Sequence, residues 1–212
     1  MTDEVEGVIL AAGLSSRSGH YKLALPLGDK TVIERSIEGM YDLVSRIIVV
    51  VGWQAEVVQR LLAPYARVEC VLNEAYAEGM FCSIKRGVAC VRASRFFLQP
   101  GDIPLVSKAV YQQLLTIHQD VVIPTCGGRK GHPLLLSSRL IPAILAQPPG
   151  ATLRDVIARN SFTLLPVDDE AILWDLDTAQ DYEALLQRQK ENSIPADQQE
   201  FRAMSSYRRR RR

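Results

Sequence analysis

Arg17, Lys22, Asp102, Asp175 and Asp177 are the residues of this chain whose types and settings point to chemistry. The two cations lie in the stretch GVILAAGLSSRSGHYK, where the apolar run Val8-Ile9-Leu10 opens into a loop of small residues. Small residues let backbone N–H groups approach a ligand closely, and such groups can form an anion-binding nest. An arginine and a lysine beside them supply the charge that a polyphosphate demands. The loop matches neither common nucleotide-binding pattern. A P-loop needs G-x-x-x-x-G-K-[ST], whereas Gly13 and Gly19 are six apart and His20 follows the second; G-x-G-x-x-G is absent.

The carboxylates complete a possible site. Asp102 lies in Gly101-Asp102-Ile103-Pro104, directly after the apolar run Phe96-Phe97-Leu98-Gln99. A carboxylate on a tight turn at a strand end is well placed to hold Mg²⁺ through one or two oxygens. A Gly-Asp turn that simply caps the next segment would also account for it. Asp175 and Asp177 are two apart, so an extended chain puts both on one face. The electrostatics of the helix start that follows would explain at least one of them equally well. Together, a cationic loop and separate carboxylates make the arrangement that a metal-bridged triphosphate requires.

Positioning these groups calls for an α/β fold. Strands are predicted over Val8–Leu10, Arg46–Val51, Val68–Leu72, Phe96–Gln99 and Val121–Pro124. Helices are predicted over Thr31–Leu43, Gln54–Leu62, Met80–Val91 and Ser107–His118. Thr31 with Glu34 forms a capping box, and Ser107 and Thr178 are suited to N-caps. Apolar strands separated by helices read as a largely parallel sheet, with ligands beyond the strand carboxyl ends. Farther on, Gly127-Gly128 suggests a hairpin turn between Val121–Thr125 and Leu134–Leu136. Short helices near Ser138–Leu145 and Thr152–Arg159, strands near Phe162–Val167 and Ala171–Leu176, and a last helix over Thr178–Gln189 follow.

Composition sets the outer bounds. The 212 residues suffice for one substantial core, and no apolar run approaches the roughly 20 residues of a membrane span. The formal charge is +1, but removing the five arginines of 208–212 leaves −4, which argues against a nucleic-acid-binding body. Cys70, Cys82, Cys90 and Cys126 show neither CxxC pairing nor zinc spacing. They read as free thiols of a reducing, cytoplasmic setting. Cys82 and Cys90 are expected in the core of one helix, and Trp53 and Trp174 are expected in packing.

AAGLSSRSGHYK resembles the AAGxSxRMGxxK signature of the MobA-like nucleotidyltransferases. Gly52, NEAYAEGMFCS (73–83), GDIP (101–104), GHP (131–133) and DLDTAQD (175–181) agree with that family in order and spacing. The likeness runs from about Val8 to Tyr182. It implies a single-domain, Rossmann-like three-layer α/β sandwich with a mostly parallel central sheet, of the nucleotide-diphospho-sugar transferase type. That domain would span residues 1–191, with a disordered polar and basic tail over 192–212. The cytidylyltransferase branch is nearest, and it transfers CMP from CTP to Mo-molybdopterin.

By that resemblance, Ala11, Ala12, Gly13, Leu14 and Ser15 wrap the nucleotide, with Arg17 and Lys22 on its phosphates. Asp102 and Asp177 bind Mg²⁺. Gly79 and Ser83 lie near base or ribose. Ala12, where guanylyltransferase relatives carry glycine, favours CTP over GTP. The partners implied are CTP, Mo-molybdopterin and a molybdenum hydroxylase apo-enzyme. His132 either positions the pterin phosphate or its dithiolene, or serves as a structural hydrogen-bonder. Two departures stand out: Ser18 replaces the family methionine, and Ala179 replaces the proline of DTPxD. The competing readings are a guanylyltransferase, a sugar-1-phosphate nucleotidyltransferase and a non-enzymatic molybdenum cofactor chaperone.

Overall fold

The computed structural model describes residues 4–13 and 21–192. Strand β1 (Val5–Ala11) is followed by a small hairpin, β2 (Pro26–Leu27) and β3 (Lys30–Thr31), and by α1 (Val32–Tyr41). Next come β4 (Arg46–Val51), α2 (Ala55–Leu62), β5 (Val68–Leu72), α3 (Met80–Val88), β6 (Arg95–Pro100) and α4 (Lys108–Leu115). The second half carries β7 (Val121–Cys126), β8 (Arg129–Lys130), β9 (Leu134–Ser137), α5 (Ile141–Leu145), α6 (Leu153–Ile157), β10 (Thr163–Pro166) and α7 (Ala179–Asn192).

The sheet runs β10-β7-β9-β6-β1-β4-β5, with β8 added to β7. β1 pairs in parallel with both β4 and β6, so the centre of the sheet is built from helical crossovers. β9 runs antiparallel between β6 and β7. The period of two sorts the strand residues onto two faces. Ile47, Val49 and Val51 enter one core with Ile9, Phe97 and the apolar stripes of α1, α2 and α4. Ile48 and Val50 enter the other with Val8, Phe96, Leu98 and residues of α3, α5 and α6. The chain is thus a single α/β domain with helices on both faces of a mostly parallel sheet.

Local signals held at several element starts. Thr31 and Glu34 form the expected capping box at α1, with the Thr31 N–H donating to Glu34 Oε2 at 2.8 Å. The Ser107 side chain makes no cap hydrogen bond at α4. Gly127 and Gly128, at φ of 55° and 76°, turn the chain as expected. They close β7 onto the short β8, and β9 reaches β7 only after a further loop. Cys90 lies beyond the end of α3, half-buried rather than central to the core.

One expected strand is absent. Ala171–Leu176 instead begins in a 3₁₀ turn over Glu170–Leu173. The Asp169 side chain caps that turn by accepting from the Ala171 N–H at 2.9 Å. Beyond it, Ile172 C=O accepts from the His132 N–H at 2.9 Å, and the Leu176 N–H donates to Asp102 C=O at 3.1 Å. The segment's backbone bonds therefore go to loops at the strand ends rather than to a ladder. Leu14, Ser15, Arg17, Ser18 and the expected tail beyond Asn192 lie outside the described residues.

Candidate active site

The turn bearing Asp102 is held from three sides. Gly101 N–H donates to Leu10 C=O at 2.9 Å, locking the end of β6 to the end of β1. Ser36 Oγ of α1 donates to Gly101 C=O at 2.6 Å. Gln99, fully buried, donates through Nε2 to Ile103 C=O at 2.8 Å and accepts from Tyr111 Oη at 2.5 Å. Buried polar groups hold a fixed geometry when each finds its partner. These positioning residues went unassigned in the sequence, although a glutamine in the apolar run FFLQ was a signal of them.

Lys22 and both family-implied metal carboxylates converge. Lys22 Nζ lies 2.6 Å from Asp102 Oδ2 and 3.0 Å from Asp177 Oδ1. The Asp102 side chain is 19% exposed and that of Asp177 59%. Burial alone would lower the Lys22 pKa, but the Asp102 and Asp177 carboxylates outweigh it and hold the ammonium above its ordinary value. Asp102 Oδ1 is buried without a hydrogen-bond partner among the described residues. Asp177 is fixed by the start of α7, where Asp181 Oδ2 accepts from the N–H groups of Asp177 at 3.1 Å and Thr178 at 2.7 Å. Thr178 Oγ1 accepts in turn from the Asp181 N–H at 3.2 Å, a reciprocal cap that serves where the family has proline. Asp175 is exposed and points, like Asp177, away from the buried Leu176.

Ala11 ends β1 at the same edge, and its carbonyl accepts from Tyr21 Oη at 3.1 Å. Tyr21 stacks edge-on against Trp53 at 5.5 Å, so Trp53 packs as expected. Ala12 is buried and Gly13 exposed. Gly52 is required here: a Cβ would lie 2.9 Å from Ala12 C=O and 2.7 Å from Tyr76 Cβ.

A cleft of about 1400 Å³ opens beside this cluster. Its floor is the second sheet face at Leu10, Leu98, Ile123 and Leu134. The N-terminal end of α3 and the loop leading into α6 form its walls. Gly79 and Cys82 line it, whereas Ser83 is buried behind them with its hydroxyl accepting from Asn73 Nδ2 at 3.0 Å. Asn73 also orders the loop by accepting from the Ala75 N–H at 3.2 Å. The Cys82 thiol contacts the carbonyls of Ala75 and Gly79, both at 2.9 Å. Ser83 thus reaches the cleft only through what it supports, and Cys82, expected in the core, stands at its wall.

His132 lines the cleft as well. Its Nδ1 is buried and unpartnered. Burial holds its pKa below the ordinary imidazole value, against the opposing pull of the Leu98 backbone and of Asp102 and Asp175. Gly131 allows this placement, since a Cβ there would lie 2.5 Å from Ile172 C=O. Among the described residues, no group of three or more His, Cys, Asp or Glu side chains gathers around a point. None of the described helices is long and apolar enough to cross a membrane.

The model of the MobA-like NTP transferase domain matches residues 7–164. The chain belongs to that family. This MobA-like chain is 28% identical over 179 residues to the molybdenum cofactor cytidylyltransferase of Escherichia coli K12, covering 84% of this chain and 93% of the relative. It is 29% identical over 201 residues to nicotine blue oxidoreductase of Paenarthrobacter nicotinovorans, covering 86% and 96%. The fold matches Rv0371c of Mycobacterium tuberculosis H37Rv with a TM-score of 0.77 and 24% identity, over 88% of this chain and 100% of that one. A further structure of Rv0371c, in complex with manganese, matches with a TM-score of 0.71 and 22% identity over the same shares. The protein is a MobA-like nucleotidyltransferase.

Proposed function

We propose that this nucleotidyltransferase transfers CMP from CTP to Mo-molybdopterin, yielding molybdopterin cytosine dinucleotide and pyrophosphate. The observation that carries the reading is the meeting of Lys22 Nζ with Asp102 and Asp177 at the carboxyl end of the sheet. The terminal phosphate of the acceptor attacks the α-phosphorus of CTP in line. The bond to the β-phosphate oxygen breaks, and pyrophosphate carries the electron pair away. Since the nucleophile is already an anion, no side chain needs to take a proton from it.

The obstacle is repulsion between two anions. Unit charges ~4 Å apart cost about 4 kcal/mol at an effective dielectric near 20. Lys22 and Arg17 offset that cost and stabilise charge on the departing pyrophosphate. Ala11, Ala12, Gly13, Leu14 and Ser15 present backbone to the nucleotide, with Gly79 at its base or ribose side and Ser83 supporting that wall from behind. His132 faces the acceptor phosphate. The Asp102 and Asp177 pair fits Mg²⁺: this ion takes one or two carboxylates beside substrate phosphates, and Asp102 Oδ1 has no competing partner. Mg²⁺ bound there would neutralise phosphate charge and align the triphosphate.

The name of the Escherichia coli relative supports the choice of CTP. So does Ala12, whose buried methyl stands where guanylyltransferase relatives have glycine. We place the reaction in residues 1–191 and in the cytoplasm, with a molybdenum hydroxylase apo-enzyme as recipient of the product. The test is pyrophosphate release by the purified protein with Mg²⁺, CTP and Mo-molybdopterin. Release with that pair, and not with CTP and sugar 1-phosphates, is expected; the reverse preference would refute the reading. The absence of Mg²⁺-dependent thermal stabilisation by any nucleoside triphosphate would favour a chaperone lacking catalysis.

A further inference from the structure

The cleft is larger than most sites for a single small ligand. Sites for single small ligands enclose roughly 300–1000 Å³, against about 1400 Å³ here. It adjoins the transfer site through Leu10 and Pro100, the neighbours of Ala11 and Gly101. Its distant part is built from two paired motifs. Lys130 Nζ sits 4.7 Å from the centre of the Phe162 ring, and Lys85 Nζ sits 5.4 Å from that of Phe81. Phe162 is 42% exposed and belongs to neither core cluster. Arg154 adds a third cation to this lining, and Glu78 is its single acid.

We infer that Phe81, Lys85, Lys130 and Phe162 form the acceptor subsite, built for a flat heteroaromatic ring that carries an anionic arm. The inference rests on the proposed reaction for the identity of the acceptor, a pterin phosphate. The two phenyl rings offer faces and edges for stacking, while the exposed Lys130 meets the anion; Lys85 Nζ also donates to Gln147 C=O and adds its charge from there. Lys130 lies two residues before His132, so one short segment spans the subsite from ring to phosphate. The excess of three cations over one acid selects an anionic occupant over a neutral one.

The test uses the full chain and two fluorescent probes, pterin-6-carboxylate and unsubstituted pterin, with CTP binding measured alongside. Phe162→Ala is expected to weaken both pterins at least fivefold. Lys130→Gln is expected to weaken the carboxylate alone. CTP affinity and thermal melting should stay within twofold and about 2 °C of wild type, since both side chains are exposed. Loss of CTP affinity instead, unchanged pterin binding in both variants, or no saturable pterin binding to wild type would overturn the subsite. Wild-type turnover with Mo-molybdopterin reports separately on the reaction. A protein that binds pterin through Phe162 yet releases no pyrophosphate would refute the reaction and support the subsite.

Discussion

Two ion clusters stand at opposite ends of β1, and they differ in how completely their carboxylates are satisfied. At the amino end, Glu6 accepts from Arg46 Nε at 2.9 Å and from the N–H groups of Arg92 at 2.7 Å and Ala93 at 3.2 Å. Arg46 spends its other nitrogens on Glu69 and on Cys90 C=O, both at 2.6 Å. Both Glu6 oxygens and all three Arg46 nitrogens thus have partners within the protein. At the carboxyl end, Asp102 Oδ2 meets Lys22 while Oδ1 has no partner, and His132 Nδ1 is likewise unmet. A buried polar atom without a partner costs about 1–3 kcal/mol. We propose that the second cluster, whose Asp102 Oδ1 is left open among the described residues, is the one reserved for a ligand.

The contrast can be broken at either end. Asp102→Asn keeps the shape of the side chain and removes its charge. Turnover should fall 10³-fold or more, about 4 kcal/mol in the barrier, with the melting temperature within about 2 °C of wild type. Near-normal pyrophosphate release would mean that the open cluster is structural. Glu6→Ala should do the opposite, because it leaves the Arg92 and Ala93 N–H groups without their acceptor and takes one of three partners from the half-buried Arg46. About 3 kcal/mol of stability should be lost by urea unfolding, with kcat within twofold; an unchanged denaturation midpoint would remove the distinction.

His132 sharpens the comparison with a smaller effect. Its pKa is lower in the fold than the ordinary value near 6.5. The unfolded chain therefore binds the proton first as pH falls. Stability from this group is complete above about pH 6.5 and is lost as pH drops from there toward the folded-state pKa. The melting temperature of His132→Gln should fall less between pH 7 and pH 5 than that of wild type. Equal slopes would show that His132 is not held neutral.

The sequence disclosed the open cluster better than the closed one. Lys22, Asp102 and Asp177 could be read together because each falls in a motif that resembles the family's, whereas a turn or a helix start would have explained each aspartate alone. Glu6 and Arg46 are ordinary charges until pairing of β1 with β4 sets Glu6 opposite Arg46. The sheet core was legible from β-branched runs such as Arg46–Val51. Ala171–Leu176 misled because its apolar residues are buried as a strand's would be, with Ala171, Ile172 and Leu176 all inside, yet the backbone bonds go to His132 and Asp102. Ser83 and Cys82 changed places because one residue of helical rotation decides which faces the cleft, and that rotation goes with contacts to Asn73, Ala75 and Gly79 that the sequence does not show.

The most direct test of the account offers the wild-type protein equal concentrations of CTP and GTP with Mo-molybdopterin and Mg²⁺, and identifies the dinucleotide by mass. The account predicts the cytosine dinucleotide as the dominant product, with pyrophosphate in equal amount. Predominance of the guanine dinucleotide, or no dinucleotide at all, would contradict it.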